Sequence, residues 1–484
     1  MSRLLDRADQ RLGHGLESLV VHHHRRRLAR VGWRRALEAG TDPLGTDLWA
    51  AGEPPPRPGN AVEILVDGAR ALAAMAAEIR AARSHVHIAG WHVTPGFELT
   101  RRGVPTVLHR LLAETAERVP VRVLLWGGAP VPVFRPSRRD ARAVRDTLRA
   151  GSAVQCALDV RERPMHCHHE KTIVIDDRVA FVGGIDLTNL AGDRYDESLH
   201  PARGSIGWHD LAARLRGPVV GDVAEHFHQR WRATTGEHLP PPAASEAAGS
   251  VEVQLVRTVP DGMYEQWPRG DFRILEAYLR ALGSATRLIY LENQFLWSPE
   301  ILAVLRHKLR HPPTSGFRLV IVLPAKPNSG ADDTRGQLGT LLEADGGGGR
   351  LLACALRAHG AQADQIYVHA KIGVVDDRWM TLGSANLNEH SLFNDTEVNV
   401  LLRDEGLIRR TRERLWAEHL ELGADEVGRD PTAVVDTLWR PIAEEQSRRR
   451  GRGEAPTHRL VTLPGLSRRS GLLLGPLQGL LVDG

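Results

Sequence analysis

His169-Glu-Lys171-Thr-Ile-Val-Ile-Asp176 and His369-Ala-Lys371-Ile-Gly-Val-Val-Asp376 are one pattern, His-x-Lys-x4-Asp, written twice at a separation of 200 positions. The chain otherwise avoids lysine: Lys171, Lys308, Lys326 and Lys371 are its four, and the remaining 59 of its 63 basic residues are arginine. Random placement of these residue types yields roughly 0.02 copies of the pattern, so two are not an accident of composition. Both sites ask for a compact ammonium where the rest of the chain supplies guanidinium groups.

In an extended strand, residues i and i+2 share a face, so each His projects beside its Lys. Apolar residues follow in both copies (Ile173, Val174, Ile175; Ile372, Val374, Val375) and predict a buried, rigid strand. The Asp closes that strand, where a turn can fold its carboxylate back. The predicted catalytic set is therefore His169, Lys171, Asp176, His369, Lys371 and Asp376.

Working outward, each motif sits in the same series of elements. A helix near 69–82 leads to a strand at 85–91, and one at 274–282 leads to 287–293. Buried-type strands follow at 121–126 and 317–323. After each motif come a two-Asp turn, a short strand and a small-residue turn, Gly183-Gly184 or Gly383-Ser384. Alternating strands and helices predict an α/β fold of two similar α/β/α layered lobes, related by a pseudo-two-fold that brings the motif strands together. The expected organisation is a basic extension over 1–60, a first lobe over 61–236, a Pro/Ala-rich linker over 237–250, a second lobe over 251–440 and a basic, then apolar, tail over 441–484.

At 484 residues, 42% hydrophobic and 25% charged, the chain has the composition of a soluble globular protein of two or more domains. Its formal net charge is only +4, so local basic clusters matter more than the total. Three cysteines, odd in number and irregularly spaced, argue against a disulfide framework. His166, Cys167, His168 and His169 alternate in direction along an extended segment and so do not converge on one metal ion. No secretory leader pattern and no apolar run of membrane-spanning length is visible, and the expectation is a cytoplasmic protein.

Two facing His-x-Lys pairs suit a phosphodiester. The ammonium groups neutralise phosphoryl oxygens, increasingly so in the transition state. One imidazole can attack phosphorus and form a phosphohistidine; the other can protonate the departing oxygen, then deprotonate the incoming water or alcohol. The lysines supply the positive field, so the motif calls for no metal or other cofactor in this step.

These residues resemble the phospholipase D superfamily, whose signature is His-x-Lys-x4-Asp in two copies. Gly183-Gly-Ile-Asp-Leu187, Asp193-Arg-Tyr-Asp196 and Trp208-His-Asp210 look like the first half of its phosphatidylcholine-cleaving, eukaryote-like branch. Ile289-Tyr-Leu-Glu-Asn-Gln-Phe295, Gly383-Ser-Ala-Asn-Leu-Asn388 and Glu397 look like the second, and the resemblance spans 61–440. It implies His169 as nucleophile and His369 as acid, then base; the residues themselves are symmetric on that order. It also implies phosphate binding by Lys171 and Lys371, with Ser384 and Asn386 ordering the site or touching phosphate. Gly184 and Asp186 replace those two in the first half, and Asp186 is expected to support structure. Glu397 is implied to orient a catalytic imidazole; in the first half Asp196 or Glu197 could do so, and the Arg-Tyr-Asp match favours Asp196. Gln294 is expected to line the site wall.

The reading is a phospholipase D, cleaving a phospholipid headgroup ester to phosphatidic acid and alcohol, with water or a primary alcohol as acceptor. A cardiolipin-synthase-like phosphatidyltransferase, a metal-independent nuclease and a silent membrane-binding protein are the alternatives. Trp91, Phe97, Phe295 and Trp297 could line an acyl or headgroup pocket, or simply pack the core. His22-His-His-Arg-Arg-Arg27 and Arg448-Arg-Arg450 offer peripheral contact with an anionic membrane, or a solvated arginine-rich surface. No nucleic-acid-binding signature accompanies them, and no specific nucleic acid is expected.

Overall fold

A computed structural model describes residues 47–130, 135–162, 166–190, 192–196, 200, 207–326, 331–359 and 365–464. The cluster at 22–27, the tail from 465 and Glu197 lie outside the described residues.

Among the described residues, seven strands of the first half form one continuous run of pairings: β1 (Arg57–Val66), β2 (Val86–Gly90), β3 (Val121–Trp126), β4 (Gln155–Asp159), β5 (Thr172–Ile175), β6 (Val179–Gly183) and β7 (Leu211–Arg216). They pair in the order β1-β7-β6-β5-β2-β3-β4, antiparallel as far as β2 and parallel beyond it. The second half contributes β8 (Val251–Val259), β9 (Leu288–Glu292), β10 (Arg318–Val322), β11 (Leu351–Arg357), β12 (Ile372–Val375), β13 (Trp379–Gly383) and β14 (Glu397–Leu402). Their order, β8-β14-β13-β12-β9-β10-β11, repeats the first with the same polarities. β1 pairs with β8, so the two sets join edge to edge.

Alternation along the motif strands explains the layers. Ile173 and Ile175 of β5 face an outer core built with α1 (Gly68–Arg80), whose Ala71, Leu72, Met75, Ala76 and Ile79 recur at helical spacing. Val174 faces the opposite way, into a core that both halves share with α2 (Val219–Thr235) and with α4 (Glu405–Leu420). In the second half Ile372 and Val374 of β12 join that shared core, while Val375 faces an outer core with α3 (Arg273–Ser284). Strands buried on both faces account for the continuous apolar runs.

Two connections fall differently from the expected boundaries. β1 starts at Arg57, inside the stretch read as an extension, and Leu48, Trp49 and Ala50 pack into the outer core of the second half. The buried amide of Gln254 draws them there: it exchanges hydrogen bonds with both backbone groups of Ala50, at 2.9 and 2.8 Å. At the other end Leu460–Thr462 pairs antiparallel with β11 and extends that sheet. All three cysteines are buried, and none is in a disulfide. No helix among the described residues is long and apolar enough to cross a membrane.

Candidate active site

Each His-x-Lys pair sits just before its motif strand, where the backbone of the opposite half holds it. The amide of His169 donates to the Thr396 carbonyl at 3.0 Å, and that of His369 to the His209 carbonyl at 2.8 Å. The next residue in each case supplies a carboxylate. Glu397 Oε1 lies 2.9 Å from Nδ1 of His169, and Asp210 Oδ2 lies 2.7 Å from Nδ1 of His369. A carboxylate at Nδ1 orients the ring and leaves Nε2 as the reacting nitrogen.

Burial decides the electrostatics of these crossed dyads. It pushes the Asp210 carboxyl up to about 7, with Lys371 pulling the other way, and the Glu397 carboxyl up to about 8 despite Lys171 and hydrogen bonds from Ser384 and Ser391. Burial also pushes the His369 imidazole well below its ordinary value, helped by Lys371, Arg194, Lys171 and His169. The crossed hydrogen bonds, His169 to Glu397 and His369 to Asp210, set each motif histidine against the opposite half. The field is cationic, and an arriving phosphate would offset it. Trp208 packs against the His369 ring at 4.4 Å between centroids, with the Arg194 guanidinium 3.7 Å from the centre of the Trp208 ring.

The two lysines differ in company. Lys171 Nζ donates to the His169 carbonyl at 2.7 Å and pairs with Asp186 Oδ2 at 3.1 Å. Lys371 Nζ donates to the His369 carbonyl and to Gln294 Oε1, 3.3 Å away, which also accepts from Asn386 Nδ2 at 3.4 Å. Gln294 is held in turn through Nε2, which donates to Tyr367 Oη at 2.9 Å. Lys171 thus pairs directly with a carboxylate, whereas Lys371 donates to backbone and side-chain amide oxygens.

The small-residue turns shape the dyads. Ser384 Oγ donates to Glu397 Oε2 at 2.5 Å. At the matching position a Cβ on Gly184 would lie 2.2 Å from Asp210 Oδ1, so only glycine leaves room for that carboxylate.

A family model described as "Cardiolipin synthase, PLD-like domain" matches residues 278–418. The chain is 26% identical over 472 residues to "Phospholipase D A" of Dictyostelium discoideum, covering 76% of this chain and 36% of that protein. It is 25% identical to "Phospholipase D2" of Bos taurus over 72% of this chain and 50% of that one. These likenesses support a place in the phospholipase D superfamily. Another relative, "Major cardiolipin synthase ClsA" of Bacillus subtilis (strain 168), is 26% identical over 71% of this chain and 66% of its own length. Phosphatidylserine synthase of Haemophilus influenzae Rd KW20 shares the α/β fold, with a TM-score of 0.52 at 13% identity over 76% of this chain and 86% of that one.

Two expectations need correction. Asp176 and Asp376 lie away from the imidazoles, at the far ends of β5 and β12; the four residues of each strand separate the Asp from its lysine by about 16 Å. Asp176 accepts from the amides of Arg83, Ser84 and His85 at 2.7–3.1 Å. Asp376 likewise accepts from the amides of Thr286, Arg287 and Leu288, at 2.7, 2.8 and 2.7 Å. With φ of 57° and 52° both adopt left-handed backbone, which the short acidic side chain tolerates. They anchor the turns that lead into β2 and β9.

The second correction concerns Asp196. Its Oδ2 lies 3.0 Å from Nδ1 of His200, and the carboxylate on His369 is that of Asp210. The backbone proves the equivalence: Gly184 N donates to Leu211 O just as Ser384 N donates to Val398 O, each 3.0 Å, and Asp210 and Glu397 precede those acceptors. Equal spacing misleads because Glu397 follows His369 by 28 positions and Asp210 follows His169 by 41. The signal that finds it is an acid directly before the strand that follows the small-residue turn. Trp91, Phe97 and Phe295 are core residues, each exposed by 2% or less.

Proposed function

We propose that the chain is a phospholipase D acting on a phospholipid headgroup ester through a phosphohistidine. The crossed dyads carry this reading, because they supply two imidazoles, each oriented by a carboxylate of the opposite half. Nε2 of His169 attacks phosphorus; the bond from phosphorus to the headgroup oxygen breaks, and that oxygen takes a proton from His369. Water or a primary alcohol then yields its proton to His369 and attacks phosphorus, the P–N bond breaks, and phosphatidic acid or a transferred phosphatidyl ester leaves. Lys171 and Lys371 hold the phosphoryl oxygens. The assignment of His169 as nucleophile rests on the superfamily resemblance.

The chain spans 36% of the amoebal relative and 66% of the bacterial one, so the activity of neither transfers whole. The family model's description and the bacterial relative favour a second reading, a cardiolipin-synthase-like transfer to another lipid's hydroxyl. Incubation with phosphatidylcholine, phosphatidylglycerol and plasmid DNA, with and without chelator, separates them. Free choline supports hydrolysis, cardiolipin supports transfer, and nicked DNA alone overturns both. Peripheral membrane contact through the basic segments belongs to the same proposal; removing residues 1–40 should lower binding to anionic vesicles while sparing soluble diesters.

A further inference from the structure

His166 points away from the dyads. Its Nδ1 lies 3.1 Å from Nδ1 of His390, 224 positions along the chain, and 3.5 Å from Oδ1 of Asp395. His390 opens and Asp395 follows a π-helical turn, His390–Asn394, an insertion that often serves to aim side chains at functional positions. The consecutive histidines therefore diverge: His168 pairs with Thr396, His169 with Glu397, and His166 alone joins this group.

Three observations mark the group as built for a cation. Two ring nitrogens face each other, so at most one carries a proton there and the other offers a lone pair. Asp395 is fully buried, yet its Oδ2 has no hydrogen-bond partner, so the carboxylate keeps a lone pair available beside the rings. The spacings of 3.1 and 3.5 Å straddle the ligand–ligand edge of about 3.4 Å that follows from tetrahedral zinc with bonds near 2.0–2.1 Å. Nitrogen and carboxylate donors in this mixture suit zinc, cobalt or nickel rather than magnesium or calcium. His166 retains 17% side-chain exposure, which leaves a side open to solvent for a fourth ligand.

The other histidine–carboxylate clusters behave differently. Both nitrogens of His209 are bonded, to Asp67 at 2.9 Å and to Glu292 at 2.8 Å. Burial opposes the charge on His209, but those carboxylates outweigh it, so it carries protons where a metal would need lone pairs.

We propose that His166, His390 and Asp395 bind one divalent transition-metal ion of the zinc type, outside the phosphodiester site. Such an ion would clamp two segments together. One leads from His166 to His169; the other leads from His390 through Ser391, whose hydroxyl donates to Glu397 at 2.5 Å, to Glu397 itself. The ion would thus steady one dyad without touching the reacting atoms, and binding is measurable whether or not the lipid reading holds.

The test uses the full chain without an affinity tag, stripped with chelator and titrated with Zn2+ against a chromophoric chelator. One equivalent is expected, with affinity falling more than about 100-fold in His166→Ala and in Asp395→Asn and unchanged in His200→Gln. Absence of that equivalent, or unchanged binding in both of the first two variants, overturns the proposal. Should those variants fail to fold, the visible spectrum of the unaltered protein with Co2+ decides: intense tetrahedral bands support the site, and the weak octahedral spectrum refutes it.

Discussion

Glu397 lies 2.9 Å from Nδ1 of His169, although 228 positions separate them. With Asp210 on His369 completing the exchange, each half supplies the imidazole that the other half orients. A carboxylate in this position sets the tautomer and steadies the ring as it gains a proton.

His169→Ala and His369→Ala should therefore each abolish turnover. Asp210→Asn and Glu397→Gln should lower kcat by about 100-fold or more, since an amide at Nδ1 no longer favours the productive tautomer. Steady-state kinetics on whichever substrate is turned over decides; a near-normal kcat in Asp210→Asn would refute its orienting role.

Gly184→Ala tests the same dyad sterically. Its Cβ would meet Asp210 Oδ1 at 2.2 Å, so the carboxylate must move. We expect kcat to fall at least about tenfold with the fold intact by circular dichroism. Unaltered kcat would show that Asp210 has room to spare.

Lysine geometry makes a third prediction. Lys171→Arg and Lys371→Arg should each be severely impaired, because a planar fork cannot take the place of a buried point charge. Rates near those of the parent would break the link between lysine scarcity and function.

Asp176→Asn should act on stability instead. Losing charge-assisted bonds to the Arg83–His85 amides should cost about 2 kcal/mol, with kcat per folded molecule little changed. Thermal unfolding alongside kinetics separates the two; a large loss of kcat in fully folded protein would restore a catalytic role.

The buried carboxyls also set a pH dependence. With Glu397 raised to about 8 in the protein without substrate, that native state holds a proton which the unfolded chain releases near its ordinary value. This contribution is full at low pH and is lost as pH climbs to about 8. Glu397→Gln cannot ionise, so its unfolding midpoint should gain on the parent's between pH 6 and pH 9, by on the order of a few kcal/mol in stability. Parallel calorimetric curves over that range would contradict this.

Much of the architecture was legible beforehand. The strand at 121–126 matches β3 residue for residue, and those expected at 85–91, 287–293 and 317–323 match β2, β9 and β10 within one position at each end, because apolar runs bounded by turns are local signals. Glu397 was legible through its motif context and Asp210 was not. The first half carries 13 more positions between its motif histidine and its acid (41 against 28), and a loop's length says little about where its far end returns.

The doubled motif determined, from sequence alone, that two His-Lys pairs stand on two similar strands, since strand alternation is a property of the local backbone. Only the tertiary structure decided which carboxylate meets which imidazole, and that Asp176 and Asp376 hold turns. Those contacts join chain positions about 90 to 228 apart, and they form where two sheets sharing one core bring strand ends together, which no local pattern encodes.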